Sequence, residues 1–293
     1  MNELKKLLIK LLILGMVLIS LNYAYIFSFY EKDLSKNSDI VNKVINEENE
    51  NADIIYVGES SNVTFRGDDL DKRPISAFLK DYFPRKKIGN ITKEAAHAGI
   101  FYHLLNIIPE NYPVKTVIIT MNLRSFDAGW IYSDLETPLQ KSLVLIRPYP
   151  PLFNRMMLSF KDYEIKSETE RQAQIFEQWK TDSFSMPYPF QFKDVIDWDS
   201  MTNKKGILNP DGTRNQELTE LACNYIKTYA FQIDTLKNPR IRDFDKIVAL
   251  AKDRNWNLVF NILAENTDKA MDLVGKDLVF IIRKNRDLLV SRY

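Results

Sequence analysis

Asp53-Ile-Ile-Tyr-Val57 is an apolar run that breaks straight into Gly58-Glu59-Ser60-Ser61-Asn62. A near-continuous run rich in branched residues, without polar alternation, reads as a strand buried on both faces, as in the sheets of α/β proteins. Such sheets take their ligands beyond the carboxyl ends of the strands. The residues after Val57 therefore carry as much weight as the run itself. A serine two places after a glycine stands there where a nucleophile would stand.

From this run onward strands and helices alternate. Helical spacing covers Pro74 to Tyr82, and Lys87 to Thr92 reads as a strand. Gly99 to Ile108 follows as a helix and Val114 to Met121 as a strand. Later come a helix over Phe244 to Arg254, a strand over Leu258 to Leu263 and an amphipathic helix over Asp277 to Val290. Alternation of this kind predicts crossover connections and a parallel sheet. Between the two blocks lies an insertion, about 126–238, with Pro148, Pro150, Pro151, Trp130, Trp179 and Trp198. Helical stretches are expected inside it at Lys166 to Trp179 and Gln216 to Ile233. Two readings of the insertion stay open: a lid or substrate platform whose aromatics stack on sugar rings, and a helical cap packed by its own aromatics.

The first 30 residues differ in kind. Lys5, Lys6 and Lys10 precede Leu11 to Phe29, which are uncharged and mostly apolar. At about 1.5 Å per residue this run spans roughly the hydrocarbon core of a bilayer. The lysines predict a cytoplasmic N-terminus and an extracytoplasmic body. Asn22-Tyr23-Ala24-Tyr25 is too bulky for a good signal-peptide cleavage site, so an uncleaved anchor over 1–30 is expected. Tyr23, Tyr25 and Tyr30 would serve as interfacial aromatics. Residues 31–51 read as a polar stalk or short helix, with Ile40, Val41, Val44 and Ile45 at helical spacing. The α/β domain would occupy 52–293.

Composition narrows the chemistry. A net charge of +1 gives no lean toward an anionic partner. With no Gly-x-Gly-x-x-Gly and no phosphate loop, neither a nucleotide cofactor nor a nucleic-acid partner is expected. The single cysteine, Cys223, excludes a cysteine-based zinc site and an internal disulfide, and reads as a small buried hydrophobe. His97 and His103 stand six apart with no evident third ligand, so no metal is expected. Asn62-Val-Thr64 and Asn90-Ile-Thr92 match the glycosylation pattern. Arg85, Lys86 and Lys87 read as a solvated loop.

Two residues fall where they could assist Ser60. Gly99 follows the second strand region, where a backbone N–H can approach a substrate because no side chain intervenes. Asn122 ends the third strand, and its amide could donate to a developing oxyanion together with the N–H groups of Ser60 and Gly99. Removal of one such donor costs about 2.7–4 kcal/mol of transition-state stabilisation. His97 is a possible alternative base.

On these residues the chain resembles the SGNH/GDSL hydrolase superfamily. Gly58-Glu59-Ser60 is similar to its first block, Gly99 to its second-block glycine and Asn122 to its third-block asparagine. The membrane anchor followed by the first block resembles the cell-envelope branches, such as proteins of teichoic acid D-alanylation and alginate O-acetylation. The resemblance implies a flavodoxin-like three-layer sandwich with a parallel sheet, and ester hydrolysis or acyl transfer through a serine ester. It also implies an acylated cell-surface glycan or polymer as substrate, and residence in an envelope protein complex. Several positions depart from the family: Glu59 replaces Asp, Thr120 stands for Gly, and Leu123 for Asp. The Asp-x-x-His block near the family's C-terminus is missing, and the alternation stops before a further strand, so a truncated chain is expected. A serine needs a base to take its proton. The rival expectation is accordingly a non-catalytic envelope scaffold or polysaccharide-binding protein that keeps the fold.

Overall fold

The computed structural model describes residues 2–45, 51–182 and 184–293. Ile54–Gly58 (β1), Ile88–Thr92 (β2), Thr116–Met121 (β3) and Asn257–Ile262 (β4) form one parallel sheet in the order β2-β1-β3-β4. Ile54 lies opposite Ile88 on one side and Thr116 on the other, and Thr116 opposite Asn257. β1 is central and buried along its whole length, as its unbroken apolar run requires. β4 is an edge strand, and its Val259 remains exposed.

The connecting helices begin and end for local reasons. His97 caps the helix Ala98–Asn106, its ring accepting from the Gly99 N–H, so the helix starts one residue before the position expected. Pro239–Asp253 starts five residues earlier than the apolar spacing suggests. Asn238 caps it and Pro239 occupies the first turn, where a missing N–H costs nothing. Gln216–Tyr229 stops short of Ile233. Buried Asn285 binds the next residues outside the helix, donating to the Phe231 carbonyl at 2.6 Å and accepting from the Ile233 N–H at 3.0 Å. The last helix, Lys276–Arg292, matches its amphipathic pattern, with Leu278, Ile281, Ile282 and Leu289 buried.

The inserted region between β3 and β4 is mostly helical and includes Glu136–Leu143, Pro151–Ser159, Glu168–Thr181 and Val195–Lys205. Ser167 and Glu170 form a reciprocal capping box at the start of the third of these. Phe184, Phe190 and Phe192 surround the buried Trp198 with ring centroids 5.0–5.6 Å away. Trp198 is therefore a packing residue. Leu139, Val144, Ile226 and Ile233 join the sheet's side chains in one continuous core.

At the N-terminus, the helix Asn2–Tyr25 runs through a π-helical stretch, Ile26–Tyr30, into Glu31–Asn37. This rod contains a segment long and apolar enough to cross a membrane, with none of that segment buried. A further short helix, Asp39–Val44, buries Ile40, Val41 and Val44 in the core, so this part of the expected stalk belongs to the folded body. Residues 46–50 of that stalk lie outside the described residues.

Candidate functional site

Three side chains converge at the carboxyl edge of β1 and β3. Glu59, directly after β1, is buried and accepts a hydrogen bond from the Ser60 hydroxyl at 3.1 Å and from the Ser61 N–H at 3.4 Å. Asn122, directly after β3, donates its amide to the other Glu59 oxygen at 2.9 Å, while its own Oδ1 accepts from the Arg124 N–H. One carboxylate thus bridges Ser60 and Asn122. The chain approaches closely here: a Cβ on Gly58 would lie 2.8 Å from the Tyr56 ring and 3.1 Å from the Thr120 hydroxyl. Tyr56 and Thr120 share a 2.8 Å hydroxyl contact under that glycine. Thr120, which departs from the glycine of the resembled block, is a buried partner of the first strand.

His97 stands after β2 and is tied into a second cluster. Its Nδ1 accepts from the Gly99 N–H at 3.1 Å and faces an Arg240 guanidinium nitrogen at 2.7 Å. A guanidinium can only donate, so Nδ1 is unprotonated and the ring proton of the neutral imidazole sits on Nε2. Nε2 lies 2.7 Å from Glu136 Oε1 without forming a hydrogen bond to it. Arg240 also donates to Glu136 at 2.7 Å and to the Ser125 carbonyl at 3.2 Å. Burial pushes the His97 pKa down, with Arg240 adding to the effect and Glu136 opposing it. Burial would raise the Glu136 carboxyl, but His97 and Arg240 outweigh it and bring the group to about 2. The cluster is therefore a guanidinium–carboxylate pair with a neutral imidazole between its partners.

Glu59, Asn122, His97, Trp130 and Arg240 line a common cavity of about 20 Å³, space on the order of one water molecule. Of the sequence-derived residues, Asn122 and His97 line this cavity, whereas Ser60 and Gly99 do not. No hydrogen bond joins Ser60 to His97 among the described residues, and the N–H of Gly99 and the amide of Asn122 already have protein acceptors. Gly99 is sterically constrained as well, since a Cβ there would lie 2.8 Å from an Asp243 oxygen. Ala95, in the cavity wall, has φ of +57°, a left-handed conformation that strains a residue with a side chain.

Glu136, Arg240 and Glu265 carry much of the electrostatics and were not singled out by sequence. Glu265 follows β4, as Glu59 follows β1, and accepts from the Tyr229 hydroxyl. Burial pushes the Glu265 carboxyl up and the charge of Glu59 adds to this, against the opposing Tyr229 bond and Arg124 charge. The carboxyl-edge rule that drew attention to Ser60 could have found it. Arg240 had a signal too: a cation in the first turn of a helix opposes the macrodipole and needs another reason to be there. Glu136 had none.

Other positions have structural partners. Asn62 is buried, and its amide donates to Ser76, Asn90 and Thr92 while its Oδ1 accepts from the Ser76 N–H. A glycan could not be attached there without unpacking the loop. Cys223 is buried on the Gln216–Tyr229 helix, and burial, with Asp199 adding, pushes its thiol up to about 11. His103 points outward from the Ala98–Asn106 helix. A roomier cavity, about 480 Å³, lies against Phe126, Tyr132, Asp182 and Phe231 and is lined by none of Ser60, His97, Gly99 or Asn122. Among the described residues no group of three or more His, Cys, Asp or Glu could hold a metal ion. Comparison with models of known protein families gives no match, and comparison with curated proteins gives none either.

Proposed function

We propose that the chain is a membrane-anchored, extracytoplasmic protein of SGNH type and flavodoxin-like build. Its Ser60 would act on acyl esters of a cell-surface glycan or polymer, as an esterase or O-acyltransferase. The observation that carries this reading is the Glu59 bridge, which gathers Ser60 and Asn122 from neighbouring strands at the edge where parallel sheets bind ligands. In the esterase reading Ser60 attacks an acyl carbonyl and passes its proton to an acceptor. Among the described residues, the acceptor in contact with its hydroxyl is Glu59. Asn122 would then turn its amide from Glu59 to the developing oxyanion. The cavity must open to admit an acyl group, and Trp130 and the strained Ala95 form part of the wall that would move.

Membrane anchorage is supported by the length, hydropathy and exposure of the N-terminal helix and by the lysines before its apolar run. Contacts between its far end and the body also support retention rather than cleavage: the Leu152 N–H bonds Asn22 at 3.0 Å and Arg155 bonds Asp33 at 2.8 Å.

The test is covalent labelling of full-length protein with a fluorophosphonate serine probe, followed by peptide mapping. Labelling at Ser60 that disappears in Ser60→Ala supports the reading; absence of labelling, or labelling that persists in the variant, removes it. A non-catalytic scaffold or polysaccharide-binding role is favoured by one specific observation. His97 is held by Arg240 and Gly99, and two of the three proposed oxyanion donors, the Gly99 N–H and the Asn122 amide, are engaged within the protein. A scaffold predicts that Ser60→Ala leaves the protein's cellular role intact.

A further inference from the structure

We infer that the helix Pro151–Ser159 lies in the outer interfacial zone of the lipid bilayer, as a second, peripheral membrane contact beside the anchor. The inference rests on the reading of the N-terminal helix as a membrane span. The large apolar residues from Leu4 to Leu21 are each between 48% and 65% exposed, and none of the apolar window is buried. At about 1.5 Å per residue this stretch is roughly 27 Å long, close to the thickness of a hydrocarbon core. It lies N-terminal of the Leu11 to Phe29 span expected from hydropathy because Asn22 already bonds the body, and Lys5, Lys6 and Lys10 in its cytoplasmic part snorkel to the headgroups. The first hydrogen bond to the body comes at the residue after Leu21. Asn22 Oδ1 accepts from the Leu152 N–H at 3.0 Å, which joins the start of the Pro151–Ser159 helix to the rod. Three residues along that helix, Arg155 bonds Asp33, and Tyr30 reaches the Leu145 carbonyl just before it.

If lipid covers the rod up to Leu21, the Pro151–Ser159 helix sits at the level where hydrocarbon gives way to headgroups. Its inner side buries Asn154 and Leu158. Its outer side presents Phe153, Met156 and Phe160, spaced so that they share one face, at 43%, 47% and 71% exposure. Tyr149 packs edge-on against Phe153 with centroids 5.7 Å apart and extends the same patch. On the neighbouring rod Tyr23 and Phe27 stack and are likewise exposed. An apolar patch of this kind marks an interaction surface, and aromatic residues flanked by cations such as Lys161 match the chemistry of an interfacial helix. Continuity with the exposed anchor selects lipid as the occupant. Contact at two points would fix the tilt of the α/β body over the membrane.

The experiment uses the full chain with Cys223→Ser, reconstituted in vesicles of phosphatidylcholine and phosphatidylglycerol. A single environment-sensitive fluorophore is attached through Leu14→Cys, Met156→Cys or Phe160→Cys. Vesicles carry a nitroxide either high or low on the acyl chain. The expected result is loss of fluorescence at position 14 with the deep nitroxide, and at 156 and 160 with the shallow one. Loss at 14 without loss at 156 and 160 overturns the inference and leaves the anchor standing. No loss at 14 removes the anchor reading and the inference with it.

Discussion

Arg240 is the residue on which the buried polar cluster depends. Its guanidinium is the charge opposite Glu136 and the donor to His97 Nδ1, and it is itself buried. Arg240→Ala would strand a buried carboxylate, a change that costs about 3–5 kcal/mol when one partner of a buried pair is removed. Urea denaturation is expected to show that loss, whereas Arg242→Ala, two residues along, serves as a mild control. Asp127 carries the opposite lesson. Burial pushes its carboxyl from near 3.8 up to about 7, against the opposing bonds from Trp179 and the Gly129 N–H. The folded state holds this proton where the unfolded chain releases it, so the group's contribution to stability falls as pH rises from about 4 to about 7. Asp127→Asn keeps an acceptor for capping and removes the titration. Unfolding at about pH 5 and about pH 8 should then show the variant gaining on wild type at the higher pH; equal pH slopes would refute the assignment.

Elements are pinned by a few side chains that bond across them. Asn62, in the turn after β1, reaches the start of the helix Ile75–Tyr82 through Ser76 and the end of β2 through Thr92. Asn62→Ala would take a partner from the Ser76 N–H and from three side-chain oxygens, those of Ser76, Asn90 and Thr92, at a cost of about 1–3 kcal/mol. The same turn holds Ser60, so hydrogen exchange there should speed up more than in the central strands. The strands and most helices were legible because their signals are local: apolar runs, helical spacing and capping residues. The Gln216–Tyr229 helix was overextended because its stop is set by Asn285, more than fifty residues away in sequence. The early start of Pro239–Asp253 was readable from Asn238 and Pro239 but was outweighed by the apolar spacing that begins later.

For the whole molecule, the short helices after the long apolar helix are part of the body. Ile40, Val41 and Val44 lie in the same core as the sheet. Each fully buried side chain of this kind contributes about 1.5–3 kcal/mol, against a total stability of about 5–15 kcal/mol for a typical domain. A chain beginning after Leu21 is expected to keep a cooperative thermal transition, and one beginning after Ile45 to lose most of its stability. Comparable melting of the two would show that residues 22–45 are dispensable.

The sequence by itself determined the strands, the long apolar helix and the delivery of Glu59, Ser60 and Asn122 to the ends of neighbouring strands. Hydrophobic periodicity and strand-end position are properties of short segments, so they survive in one dimension. Only the tertiary structure decided which polar groups satisfy one another. Glu59 joins Ser60 to Asn122, while Arg240 and Glu136 from distant elements enclose His97. A buried donor or acceptor takes whatever partner packing brings within reach, and that partner comes from chain topology rather than from the local residue pattern.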